Sequence, residues 1–218
     1  MSRPLRIDFV SDIVCPWCAI GLHSLLQALQ QLGDEVSAEI YFHPFELTPD
    51  MPAEGERVIP YLCHKYGMSE VEVAHNQAHI TERGAQLGFA FDFRADSRKW
   101  NTFHTHRLLH WAGEQGRDQQ LALKLALFEA YFSRNLNPSD RTLLCELAAE
   151  ASLDAAEAGR VYDSGEYAEA VRSEERLWQQ RGVSSVPAIV FDQRYLVSGG
   201  QPVETFVQVI RDLPSEAV

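Results

Sequence analysis

A chain of 218 residues, 45% of them hydrophobic, is long enough for one large domain or two small ones. Its 19 basic and 31 acidic side chains leave a net charge of −12 with no local basic patch, which argues against nucleic acid or an anionic membrane surface as a partner. No apolar run reaches the ~20 residues of a membrane span, the N-terminus runs into a strand pattern containing Asp8 rather than a signal-peptide core, and four cysteines do not make a disulfide scaffold, so a cytoplasmic location is expected.

Residues 5–10 (Leu-Arg-Ile-Asp-Phe-Val) read as a first strand. Residues 16–32 read as a helix with Leu22, Leu25, Leu26, Leu29 and Leu32 on one face, stopped by Gly33. Val36, Ala38, Ile40 and Phe42 alternate with Ser37, Glu39 and Tyr41, which predicts a second strand parallel to the first. Three prolines in residues 43–52 exclude regular structure there. From about residue 55 the period is helical. One helix covers 57–66 and closes at Gly67; a capping box at Ser69-Glu70-Val71-Glu72 opens the next, to about 87. Phe89, Phe91 and Phe93 alternate briefly, as an extended crossing beneath helices rather than a paired strand. Further helices are expected over 100–115, 118–133, 140–151 and 154–162. The end of the chain predicts a helix over 166–181, a strand over 187–191, a two-residue turn at Asp192-Gln193, a strand over 195–198, and a last helix opened by Pro202 and ending near 211. The order is βαβ, an all-helical block, then αββα: an α/β chain.

Cys15-Pro16-Trp17-Cys18 lies where the first strand gives way to the first helix. Two cysteines three apart at such a junction signal redox or metal chemistry. A helix N-terminus carries unpaired N–H groups and partial positive charge, which favour a thiolate, and Pro16 suits a first turn that needs no donor. Cys15 is then expected at the helix mouth as the attacking thiolate, with Cys18 one turn in as the resolving thiol. Zinc would need a second ligand pair, and Cys63 and Cys145 are isolated. These two fall among leucines on helix faces and read as buried small hydrophobes. A second stretch, residues 182–191, sets Pro187 ahead of an apolar strand. An X–Pro bond is trans by default; a cis bond there would turn the chain sharply and free the Val186 backbone to pair with an extended substrate. Asp12 reads first as a cap for the turn, second as a proton relay. Asp8 or Glu39 could supply an acid beneath Cys18. His75 and His79, four apart, read as a solvated helix face.

Three blocks in this order carry a family resemblance: Ser11-Asp12-Ile13-Val14-Cys15-Pro16-Trp17-Cys18-Ala19-Ile20-Gly21, the helix around His106-Arg107-Leu108-Leu109, and Val186-Pro187 with Ser198-Gly199-Gly200-Gln201. The chain resembles the DsbA-like branch of the thioredoxin fold over nearly its whole length, and within it the FrnE-like dithiol-disulfide oxidoreductases. The resemblance implies a discontinuous thioredoxin domain, residues 1–52 and 165–218, with a helical domain, 53–164, inserted. It implies that Cys15 is the nucleophile, Cys18 the resolving cysteine, and Val186-Pro187 a cis-proline platform, with Pro16, Trp17 and His106 lining the substrate site. Protein thiols and disulfides, or glutathione as co-substrate, are the implied partners, with no metal and no bound cofactor. The related 2-hydroxychromene-2-carboxylate isomerases and kappa-class glutathione transferases commonly carry serine at the Cys15 position; a glutathione-dependent isomerase or transferase acting on a small aromatic or polyketide-like molecule is therefore the alternative. Trp17 stands where the DsbA archetype has histidine, so a milder thiolate stabilisation and weaker oxidising power are expected.

Overall fold

The computed structural model describes residues 2–214. Strand β1 (Arg3–Ser11) runs parallel to β2 (Val36–Pro44), with Ile7 opposite Ile40 and Phe9 opposite Phe42. Helix α1 (Pro16–Leu32) joins them, beginning at Pro16 and ending at Gly33 as its sequence signals predict. Strand β5 (Ala188–Phe191) pairs antiparallel with the other edge of β1, and β6 (Tyr195–Ser198) pairs antiparallel with β5, giving the order β2-β1-β5-β6. Phe191 faces Tyr195, so the hairpin connection is three residues rather than the two expected; Asp192 and Gln193 take left-handed conformations, and the Arg194 N–H closes onto the Phe191 carbonyl.

Because side chains alternate across a strand, β1 serves two layers. Leu5, Ile7 and Phe9 face α1 and the last helix, α9 (Val203–Asp212), whose Phe206 and Ile210 are buried with them. Asp8 and Val10 face the other side, toward α8 (Ala168–Gln180) with Trp178 and Glu174. Pro202 is the cap of α9 rather than its first helical residue.

Between the two halves of the sheet lie α2 (Val58–Tyr66), α3 (Glu70–Gln86), α4 (Phe103–Gln115), α5 (Arg117–Phe128), α6 (Arg141–Glu150) and α7 (Ala155–Ser164). The capping box of α3 forms as read: Ser69 Oγ accepts from the Glu72 N–H, and Glu72 accepts from the Ser69 N–H. Residues 89–93 cross unpaired, with Phe91 edge-on to Phe132 and stacked on Phe93. Within this helical block three features depart from the sequence reading. Helix α4 starts at Phe103, because Asn101 caps the Phe103 N–H and ties residues 49 and 51 with its amide. The chain before it forms a two-residue bridge, β3 (Glu56–Arg57) with β4 (Arg98–Lys99). The helix expected to reach 133 ends in a wide π turn, Glu129–Ser133. One apolar cluster is continuous from the sheet through α1 into Leu108, Leu127 and Leu144.

Candidate active site

Cys15 is the N-cap residue of α1, in an extended conformation, and its carbonyl accepts the Cys18 and Ala19 N–H groups at 3.0 and 3.4 Å. Pro16 follows at the first helical position, so the missing donor falls where the helix has no acceptor for it. Cys18, one turn in, is fully buried; Cys15 is 5% exposed and, with Pro16 and Trp17, lines a cavity of about 620 Å³. The loop ahead of β5 closes over the same point. The Cys15 thiol donates to the Val186 carbonyl at 3.6 Å, and the Val186–Pro187 peptide bond is cis. Val186 lines the cavity while Pro187 is buried beneath it. Close approach is allowed by two glycines on either side: a Cβ on Gly21 would lie 3.1 Å from Pro187, and one on Gly200 would lie 2.9 Å from the Trp17 carbonyl. That explains the Gly199-Gly200 signal after β6.

The two thiols sit in opposite electrostatic settings. The Cys15 thiol is held below its ordinary pKa by the Cys18 thiol, which donates to its sulfur, and by the Cys18 and Trp17 backbone N–H groups; burial and the Asp12 carboxylate oppose this. Cys18 is pushed well up by burial and by the neighbouring Cys15 sulfur. The pair therefore sets the more acidic thiol at the cavity and the less acidic one behind it.

The polar groups beneath the pair differ from those expected. Asp12 is fully buried and does not cap α1: one carboxylate oxygen accepts the Leu47 N–H at 2.8 Å and the other lies 3.4 Å from His106 Nε2. Burial pushes this carboxyl up, but His106, the Leu47 N–H and the charge of Lys99 together hold it below its usual range. His106 is 2% exposed and stands behind Asp12, outside the cavity lining, because α4 packs its His106 face onto β2. Neither strand acid is the group beneath Cys18. Glu39 is exposed, and Asp8 is engaged by Arg6 and by His43, which bridges on to Glu174.

The group the sequence reading missed is Lys124 on α5. It is 1% exposed, with its ammonium 5.2 and 5.7 Å from the Phe128 and Phe42 rings. Burial lowers its pKa to about 8, against the attraction of Cys18, Asp12 and Cys15. A signal was present: Leu123, Leu127 and Phe128 make the buried stripe of α5, and Lys124 falls inside it. Near Asp12 lies a charged trio with two buried carboxylates and a half-buried arginine. Arg172 bridges Glu46 and Glu175; burial and the Glu175 carboxylate outweigh Arg172 and raise Glu46 to about 8, so Glu46 holds a proton at pH 7.

The cavity walls come from α2, α3, the Phe93 segment and the π turn, whose Tyr131 donates to the Arg98 carbonyl at 3.1 Å. His75 and His79 are solvent-exposed as read, yet the His79 ring also meets Trp17, centroids 5.8 Å apart, and joins the cavity wall. Cys63 and Cys145 are half-buried rather than buried; Cys145 packs against the core from α6. Among the described residues no group of three or more His, Cys, Asp or Glu is placed to hold a metal ion.

A cysteine pair at the mouth of α1, under a proline loop that opens an antiparallel hairpin, defines a thiol protein of the thioredoxin fold. The chain belongs to the DsbA-like thioredoxin domain family, whose model matches residues 6–211. Its structure is similar to that of a probable DsbA oxidoreductase of Streptomyces coelicolor, SCO1869, at 34% identity and TM-score 0.88, covering 98% of this chain and 94% of that one. It shares its fold with a 2-hydroxychromene-2-carboxylate isomerase (16% identity, TM-score 0.72, 95% of each chain). It also shares it with DsbM, a cytosolic disulfide reductase of Pseudomonas aeruginosa solved with glutathione (18% identity, TM-score 0.63, 94% of this chain and 97% of that one). The relative at 34% identity supports an enzyme of the thiol-disulfide type.

Proposed function

We propose that the protein is a dithiol-disulfide oxidoreductase of FrnE-like subtype in which Cys15 exchanges with substrate and Cys18 resolves. The carrying observation is the asymmetry of the pair: a thiol below its ordinary pKa on a cavity wall, one helical turn from a fully buried thiol above it. In the reducing direction the Cys15 thiolate attacks one sulfur of a substrate disulfide, that S–S bond breaks, and one substrate thiolate leaves. The Cys18 thiol then loses its proton and displaces the second thiolate, closing the Cys15–Cys18 disulfide; two electrons have passed to the substrate. The oxidising direction is the reverse. Val186, whose carbonyl already meets the Cys15 sulfur, is the backbone on which an extended substrate would align, with Trp17 as the flat apolar rim.

The partner class is a protein thiol or disulfide, or glutathione, the latter supported by the DsbM complex. The cytosolic DsbM likewise supports a cytoplasmic location, and the division into a thioredoxin domain (1–52, 165–218) and an inserted helical domain (53–164) is part of the same reading. A glutathione-dependent isomerase acting on a small molecule is favoured by one observation, the likeness of fold to the chromene-carboxylate isomerase; the second cysteine opposes it.

The test is Cys18→Ser in cells, followed by identification of what is joined to Cys15. A mixed disulfide with protein or low-molecular-weight thiol is expected. No adduct, or activity surviving Cys15→Ser as for a redox-independent holdase, defeats the proposal.

A further inference from the structure

The cavity beside Cys15 holds a positive charge that the exchange reaction does not use. Lys99 lies on its wall, 7% exposed, with Nζ 4.7 Å from the centre of the Tyr61 ring. Among the described residues it makes no hydrogen bond and no contact ion pair; its charge is felt by the Tyr61 ring beside it and, at longer range, by the Asp12 carboxylate. This is not for want of acids in a chain of 31 carboxylates to 19 cations. Arg6, Arg141, Arg160, Arg172, Arg176 and Arg211 each meet a carboxylate. Lys99 is held away from them because β4 bridges to β3 and turns its side chain into the cavity.

Gly55 makes that bridge possible. It has a left-handed φ of 64°, and a Cβ there would lie 2.4 Å from the Lys99 carbonyl. Next to Lys99, Arg98 spends its donors on the Glu54 and Gly55 carbonyls and stacks over Trp100, adding a second cation with no acid beside it. The acid on this wall, Asp92, is held by Arg94. The Lys99 Nζ therefore has donors left unused on the cavity wall, and an anion arriving from solvent could accept them. The remaining wall is apolar and aromatic, with Trp17, Phe93 and Phe132 facing the same space.

We propose that the substrate of Cys15 is a low-molecular-weight disulfide or thiol with an apolar, aromatic-sized body and a carboxylate, and that Lys99 receives the carboxylate. A volume of about 620 Å³ accepts one such molecule, and Lys99 and Cys15 line the same space. An unfolded protein chain offers a cysteine without an obligatory anion and has no use for Lys99. The inference deepens the exchange reading of the site and rests on it.

The test compares two probe disulfides against the reduced protein in a Cys63→Ser, Cys145→Ser background, so that only the pair reacts. Dithiobis(nitrobenzoate) is aromatic and dianionic; dithiodipyridine is aromatic and neutral. With either, the Cys15 thiolate breaks the probe S–S bond and expels one arylthiolate, and Cys18 expels the second as it forms the protein disulfide. The readout is the ratio of the two second-order rate constants. Lys99→Gln is expected to lower the anionic-to-neutral ratio by about tenfold or more, the scale of one hydrogen bond to a charged group, and added salt is expected to narrow the wild-type ratio. An unchanged ratio overturns the inference, as does a Lys99 dependence confined to oxidised glutathione run as a third probe. If neither probe consumes the Cys15–Cys18 pair, it is the exchange reading itself that fails.

Discussion

Lys124 is where the site's electrostatics can be weighed against fold stability. The folded protein holds its ammonium near the rings of Phe42 and Phe128, and its pKa falls from 10.5 to about 8. At about 1.36 kcal/mol per pKa unit, keeping it charged at pH 7 costs the fold about 3 kcal/mol. Between pH 8 and 10.5 the unfolded chain binds more protons than the folded one, so this residue makes stability rise with pH across that window. Lys124→Met keeps the volume and removes the charge. Urea unfolding of the reduced variant should show a gain of up to about 3 kcal/mol at pH 7 that shrinks as the pH approaches 10.5. The gain comes with a loss. The Lys124 charge opposes the upward push on Cys18, so without it the Cys18 thiol ionises less readily and the mixed disulfide persists about threefold longer for each unit by which the Cys18 pKa rises, the scarcer thiolate being partly offset by its greater nucleophilicity. A variant that is less stable at pH 7, with the pH slope unchanged and resolution as fast as wild type, refutes the reasoning.

Glu46→Gln is expected to match wild type only near pH 4.5 and below, where Glu46 is protonated in both states, and to be the more stable protein at pH 7, where the wild-type unfolded chain releases a proton that the fold keeps. The wild type should lose stability as pH rises from 4.5 toward 8, since its folded state keeps a proton that the unfolded state releases, and the variant should lose less; paired urea titrations at pH 5 and 8 measure the difference. Arg107, 1% exposed, donates to the carbonyls of Val161, Tyr162 and Glu166 where α7 ends. Arg107→Met strands those carbonyls and should cost about 3 kcal/mol or more, read as a fall in urea midpoint; a change below 1 kcal/mol contradicts the capping role. Gly55→Ala forces a left-handed alanine against the Lys99 carbonyl and should cost more than about 1 kcal/mol. It should also lower the anionic-to-neutral probe ratio, because β4 must shift; an unchanged ratio means Lys99 is placed by something else.

Local signals carried much of the site. Pro16 and Gly33 bound α1 where they were read, and the Ser69–Glu72 capping box opens α3 because both partners lie within one turn. The cysteine pair was legible for the same reason: the sulfurs and the helix mouth that polarises them are neighbours in the chain. Asp12 was legible as a candidate but not in its role. Its partners, Leu47 and His106, arrive from 35 and 94 positions away, and no local pattern announces them. His106 was read as lining the substrate pocket and instead stands behind Asp12, outside the cavity wall, since helical spacing gives a face but not what packs against it.

The sequence by itself determined the order of elements, the alternation that builds the four-stranded sheet, and the reactive pair at the start of α1. These follow from period, capping and turn chemistry, which act over a few residues. Only the tertiary structure decided which charges surround the pair. Lys124 comes from α5, Lys99 from a two-residue bridge held by Gly55, and Val186 from the loop before β5; none lies near the cysteine pair in sequence. Their charges count because packing removes water from around them, and burial depends on the whole fold. The same chemistry that made Cys15 readable as a thiolate at a helix mouth therefore left unread the two lysines, one behind Cys18 and one across the cavity.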